Sequence, residues 1–275
     1  LPGFLSDGFE ILFSKLGPKK TGDTENRTRL LISVSSRVHG KKMRAGLRGV
    51  PDVPEILPNS QTGVLALWND CAAGHEELYD QWYHGEHFFD RVSIKGFRMG
   101  RRHESLGGHP RFFTYYETES AAVLFSSSYQ AQLDQPSLLT KEVMAGVFIN
   151  VTRTVCACVQ RSGRERGGFV VTMSTREHGR EDELKTTALL FADVSGVVRT
   201  EVWVPVIDSG QSHTEPRQEE QIRGQDQTIA SCLVLHLTRE DSARRVIDQL
   251  ASETDADWDI GVYRLLSELR HEDCR

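Results

Sequence analysis

Two stretches of this chain run through the same order of secondary-structure signals. That repetition constrains the fold more than any other feature of the sequence. In the first stretch, residues 64–70 (VLALWND) are a short apolar run rich in strand formers. From Gly74 the pattern turns helical, and Leu78, Trp82, Gly85, Phe89 and Val92 recur at helical spacing on one expected core face. Gly85 is expected to weaken or break this helix. Residues 96–103 (GFRMGRRH) alternate like a strand, 107–110 (GGHP) form a turn, and 112–117 (FFTYYE) are a third strand. Ser120 stands where an N-cap belongs, ahead of a helix over 121–133. Pro136 interrupts that helix, and 138–145 form a second helical piece. Residues 147–158, with many β-branched side chains, make the fourth strand.

The second stretch repeats the order. Residues 169–175 read as a strand, 180–191 as a helix and 197–207 as a long alternating strand. A charged segment without apolar periodicity, 210–226, is expected to be a solvated loop, with a lid as the functional alternative. Then come a strand at 229–237, an amphipathic helix at 239–250 and a strand at 260–269. Each stretch is therefore βαββαβ, the order of a ferredoxin-like unit. The units run over 62–160 and 168–270, and the fold class is α+β. Right-handed crossovers place both helices of a unit on one face of a four-stranded antiparallel sheet. The bare face needs a cover, and two units packed sheet to sheet would cover each other.

Residues 1–60 do not join this pattern. They are rich in Gly, Pro and Asn and are expected to be a disordered leader, with a stray strand at 30–34. The chain begins with Leu, which suggests a fragment, a non-standard start, or a start assigned too far upstream of Met43. Residues 1–62 hold ten Lys or Arg against six Asp or Glu, so the net −6 of the whole chain is an acidic body behind a basic leader. An acidic body argues against nucleic acid as the main partner, because phosphate binding needs a basic footprint. No run of about eighteen apolar residues is present to span a membrane. Cys71, Cys156, Cys158, Cys232 and Cys274 show no paired CxxC spacing, which suits free thiols in a reducing, cytoplasmic setting. The expected partner is a small molecule, and a homodimer is the assembly to consider.

The densest set of chemically useful side chains is 81–87, QWYHGEH. Behind it come Arg91, Arg98, Arg101, Arg102 and His103, and the third strand adds Tyr115 and Tyr116. Imidazoles titrate near neutral pH, phenols donate hydrogen bonds, and guanidiniums bind carboxylates. Strand alternation sends Arg101 and Arg102 to opposite faces, so one would line a pocket and the other would be a solvated charge. Tyr115 and Tyr116 obey the same rule. On an unbroken helix His87 lies across from the Leu78–Trp82 face and points to solvent, unless Gly85 redirects the chain. His84 is expected to be exposed, Trp82 to anchor the core, and Glu86 to cap or pair with an arginine.

These residues carry a resemblance. WYHGEH at 82–87, RVSIKGFRMGRR at 91–102, FFTYYETES at 112–120 and NVTRTV at 150–155 together resemble the EthD-like branch of the dimeric α+β barrel superfamily. Lys95 stands where that family more often has Pro. The likeness covers about a third of the chain, and the second unit lacks the WYxxEH motif. It implies two βαββαβ units packed sheet to sheet around a pocket. It also implies a cofactor-independent lyase or isomerase acting on an aromatic, polyketide-like or lactone-like molecule. His87 would be the acid/base, with Tyr83 and His84 as further catalytic candidates. Trp82, Arg101, Arg102, Tyr115 and Tyr116 would position the substrate.

Two other classes stay open. One is a non-catalytic barrel that binds a small ligand. The other is a haem-dependent oxygenase or peroxidase-like protein with His87 as axial ligand. A metal site built from His75, His84, Glu86 and His87 has no HExxH or CxxC behind it, so no metal and no cofactor are expected.

Overall fold

The computed structural model describes residues 61–206, 216–254 and 257–274. The leader, the stray strand at 30–34, His213 and part of the charged 210–226 segment lie outside the described residues.

The first half runs β1 (Gly63–Cys71), α1 (Glu76–Trp82), a π turn (Tyr83–His87), α2 (Phe88–Val92), β2 (Phe97–Ser105) and β3 (Phe112–Thr118). It continues with a 3-10 turn (Ala121–Phe125), α3 (Ser127–Asp134), α4 (Leu138–Gly146) and β4 (Phe148–Gly163). The second half holds β5 (Phe169–Thr175), α5 (Glu181–Phe191), β6 (Val197–Pro205), α6 (Gln218–Arg223), β7 (Ser231–Leu237), α7 (Glu240–Glu253) and β8 (Asp259–Arg270). Two expectations need correction. The Ser120 side chain makes no capping bond; Ser126 accepts the Tyr129 amide and starts the helix six residues later than expected. The charged 210–226 segment contains the helix α6, which no apolar periodicity announced.

All eight strands are antiparallel to their neighbours, and they close into a barrel in the order β1-β3-β2-β8-β5-β7-β6-β4. Each half contributes a four-stranded sheet, ordered β4-β1-β3-β2 and β6-β7-β5-β8. The halves meet edge to edge. β2 pairs with β8, placing Arg102 opposite Ser267, and β4 pairs with β6, placing Cys158 opposite Trp203. The expected sheet-to-sheet packing is thus a closed barrel, and edge pairing removes the free strand edges an open sheet would expose.

Closure gives most strands two covered faces along their central residues, whereas β8 and the ends of β4 stay partly exposed. Val64, Ala66, Trp68, Phe113, Tyr115, Cys156, Val234 and Tyr263 point into the lumen and form one core cluster. Their alternating neighbours Leu65, Leu67, Phe112 and Tyr116 point outward and pack under the helices of the first half. Val171, Met173, Leu233 and Leu235 do the same under α5 and α7. Three layers of core follow from one period-two pattern. Gly100 is part of the fit. A Cβ there would stand 2.3 Å from the Phe88 ring and 2.9 Å from Tyr116, so the absence of a side chain lets α2 lie on the sheet.

Candidate functional site

The QWYHGEH segment folds as a helix with a widened turn. α1, the π turn and α2 follow without interruption, and the residues at the junctions, Tyr83, Trp82, Phe88 and His87, are all right-handed helical. Gly85 does not break the helix. In a π turn the backbone bonds run i to i+5, so one extra residue fits into the turn and everything after it rotates. Trp82 and His87, five residues apart, therefore sit on the same side, with ring centroids 4.1 Å apart. The rotation also corrects the expected core face. Phe88 turns inward, whereas Phe89 is 48 % exposed. His87, which a straight helix would have sent to solvent, is buried.

Hydrogen bonds hold the turn in place. Trp82 donates from Nε1 to the Thr140 hydroxyl (2.9 Å), and Thr140 donates to Glu86 Oε1 (2.8 Å). Ser137, the residue that caps α4, also donates to Glu86. Glu86 thus ties the π turn to the start of α4, where a negative charge suits the helix dipole. His87 makes no capping hydrogen bond. Its close contacts are the rings of Trp82 and Tyr83.

His87 lines an internal cavity of about 20 Å³ between the helices and the outer face of β1 and β3. Arg91, Tyr116, Tyr129, Arg153, Glu219 and Arg223 share its wall with a set of aliphatic and aromatic side chains. Burial, with the positive Arg91 and Arg223 adding to it, holds the His87 imidazole well below its ordinary range. The ring is therefore neutral at pH 7 and able to accept a proton. Burial pushes the Tyr116 phenol well above its usual range, and Tyr83 is raised for the same first reason. The two hydroxyls lie 3.4 Å apart, which brings Tyr83 to the cavity through Tyr116. Both stay protonated and can donate. Arg91 stays charged: burial is the largest single influence and opposes its charge, but the Glu219 carboxylate together with the Tyr129 and Tyr116 phenols outweighs it.

The other candidates part company across the sheet. Arg102 faces the helices with Tyr116. Its guanidinium lies 4.5 Å from the Tyr83 ring centroid, donates to His84 Nε2 (2.9 Å) and pairs with Asp80 (2.6 Å). His84 is exposed and meets the site through that bond and a tilted contact with the Tyr83 ring (centroids 6.3 Å). Arg101 and Tyr115 face the lumen and do not share a compartment with His87. Arg101 donates to the Gly167 carbonyl (2.9 Å), pairs with Glu268 (3.0 Å) and approaches His236 (3.5 Å). Neither arginine is a solvated charge. Opposite faces were rightly expected, but in a closed barrel overlain by helices both faces are interior.

Tyr129, Arg153, Glu219 and Arg223 are cavity residues that were not among the candidates. Arg153 was visible within NVTRTV. Glu219 and Arg223, at i and i+4 in the charged segment, offered only their spacing as a signal.

A second pocket of about 180 Å³ opens at one mouth of the barrel between Trp68, Thr152, Thr172, Ser174 and Tyr263. Among the described residues, no three His, Cys, Asp or Glu side chains converge as a metal site. No helix among them is long and apolar enough to cross a membrane. As it stands, the His87 cavity has room for about one water molecule, so neither a haem macrocycle nor an organic substrate enters it unless part of its wall moves.

No protein-family model matches the chain, and no curated protein matches it. Solved structures do. An anthrone oxidase-like protein superposes with a TM-score of 0.51 at 11 % identity, covering 77 % of this chain and 94 % of that one. A proposed monooxygenase from Fusobacterium nucleatum gives 0.44 at 7 % identity, covering 77 % and 95 %. A haem-binding protein from Thermus thermophilus gives 0.42 at 10 % identity, covering 75 % and 92 %. The shared feature is the fold. It is the dimeric α+β barrel, completed here by two halves of a single chain.

Proposed function

We propose that the first half of the barrel is an EthD-like small-molecule enzyme, a cofactor-independent lyase or isomerase, with His87 as its proton-transfer group. The observation that carries this reading is a neutral, buried imidazole on the wall of a small cavity beside a protonated phenol and a guanidinium. That combination suits removal of a proton next to a carbonyl. His87 takes the proton, the electron pair moves onto the carbonyl oxygen, and Tyr116, backed by Tyr83, donates to the developing oxyanion. Return of the proton to another carbon completes an isomerisation; in a dehydration the enolate pair forms the new C=C bond as a β-hydroxyl leaves, taking the proton from the His87 imidazolium to depart as water. Trp82 holds the imidazole by stacking, and Arg102 steadies Tyr83 from the other side.

The expected substrate is a small aromatic or cyclic carbonyl compound bearing a carboxylate. Proton exchange into such compounds in D2O, followed by NMR, tests the reading. His87→Gln should slow exchange by about 10²–10⁴-fold, the usual size of general acid–base catalysis. Exchange that continues at the natural rate would remove His87 from the chemistry. The base must be neutral and its pKa is depressed, so the rate should hold through pH 6.5 and fall only below it.

A non-catalytic ligand-binding barrel is the second reading, and the polar pocket at the barrel mouth favours it. Ligand binding that Thr172→Val abolishes, with no dependence on His87, would support it.

A further inference from the structure

The wall of the His87 cavity carries more positive charge than its partners neutralise. Arg91, Arg153 and Arg223 converge there, and guanidiniums do not lose their protons in proteins. Glu219 pairs with Arg91, and its other oxygen lies 3.9 Å from Arg223. Asp226 takes Arg223 with two bonds, at 2.7 and 2.5 Å. Arg153 donates to the Tyr129 phenol (2.8 Å) and makes no ion pair among the described residues. Three guanidiniums thus share two carboxylates, in a place where the Arg91 and Glu219 side chains are each 4 % exposed. An unpaired buried charge is costly, and a site built to receive an anion is one way that cost is recovered.

One of the two carboxylates arrives on an unusual support. Glu219 belongs to α6, a six-residue helix of the second half that packs on α3 and α4 of the first. The Glu219 and Arg223 side chains are both buried; Ile222 is partly buried, and Arg217 pairs with Asp134 (2.5 Å). The helix is therefore docked mainly by charge, with little apolar area to lose on leaving. The remaining wall is apolar and aromatic, with Leu133, Met144, Phe148 and Tyr116. A cavity of about 20 Å³ admits no organic molecule while α6 is seated.

We propose that Arg91 and Arg153 form the carboxylate subsite of this cavity, that Glu219 is its resident occupant, and that a small aromatic carboxylate binds by displacing Glu219, and with it α6 and its Arg223. The inference shares its cavity with the reading above and rests on it for the carbonyl chemistry alone; anion binding does not need His87 to move a proton. The incoming carboxylate takes over the Arg91 pairing and supplies Arg153 with the partner it lacks. Binding and opening are then one event, and the site stays shut to ligands without a negative group.

Benzoate is the probe and benzamide its neutral counterpart. Calorimetric titration of the full chain should show Glu219→Gln binding benzoate at least tenfold more tightly than the natural protein, because the competing charge is gone. Benzamide should show no such gain, and adding Arg153→Met should reverse it. Equal benzoate affinity of the folded Glu219→Gln variant and the natural protein would overturn the proposal, as would an equal gain for benzamide. Should Glu219→Gln fail to fold, the thermal shift decides. Millimolar benzoate should raise the Tm of the natural protein and leave that of Arg153→Met unmoved; a natural protein that does not respond, or an equal response in both, sinks the idea. Benzoate binding that follows Glu219 and Arg153 as described, in a protein that shows no proton exchange into carbonyl compounds, would keep the carboxylate subsite and remove the catalytic reading, so the two failures are read separately.

Discussion

At the scale of single residues, neighbours in sequence have opposite fates. Arg101 and Arg102 differ by one position, and one anchors the lumen while the other braces Tyr83 under the helices. Tyr115 and Tyr116 divide in the same way. Alternation alone predicts that division, and the sequence carries it plainly. It does not say that both sides are dry. Gly100 shows how closely the outer side is filled. Gly100→Ala would bring a Cβ to 2.3 Å from Phe88, and both that ring and Tyr116 would have to give way. A loss of about 1–3 kcal/mol is expected from such overpacking, measurable as a lower midpoint in urea. An unchanged midpoint would mean that α2 rides freely over the sheet.

At the scale of elements, the π turn decides the site. Seven residues of helix, five of widened turn and five more of helix place Trp82, His87 and Phe88 inside. Counting at 3.6 residues per turn puts His87 outside, so the helix was legible and its inner face was not. A π turn follows from what the helix packs against, here the outer face of β1 and β3 and the start of α4, more than from its own composition. Gly85 lies in this turn on the exposed side, keeps a negative φ, and has nothing within 4 Å of where a Cβ would stand. Gly85→Ala should therefore stabilise the fold by about 0.4–1 kcal/mol through the unfolded chain, seen as a higher Tm. A lower Tm would show that the turn needs the freedom of glycine.

At the scale of the whole molecule, three histidines among the described residues are buried in neutral form. His87 lies under the helices, and His103 and His236 lie within the strands of the barrel. In each, burial comes first among the causes that hold the imidazole well below its ordinary range, and nearby arginines add to it. The unfolded chain has no such burial, and its histidines take up protons below about pH 6.5. Below that pH the unfolded state binds more protons than the folded one, so stability falls as pH falls. Each histidine contributes up to about 1.4 kcal/mol per pH unit until its own folded value is reached. Tm measured from pH 7.5 to 5 should drop, and His236→Gln should shallow the drop by one proton's worth. A flat profile would contradict neutral burial. The Asp70 and Glu104 carboxylates, held low by hydrogen bonds against the opposing effect of burial, add their loss only at more acid pH.

Most of the architecture was present in the sequence, because strand alternation and helical spacing are local and survive without knowledge of the partner. Two βαββαβ orders can be read from such patterns, and so can the segment that carries the candidate chemistry. The tertiary structure alone decided how the halves join. β2–β8 and β4–β6 pairing depends on edges far apart in the chain, and no local pattern specifies it. It also decided which arginines share a compartment with His87, since Arg91, Arg153 and Arg223 come from three separate elements. Glu219 belongs to the same class of fact. A polar helix whose most buried residue is a carboxylate leaves no apolar trace in the sequence, and its role exists only through the guanidinium that meets it 128 residues away.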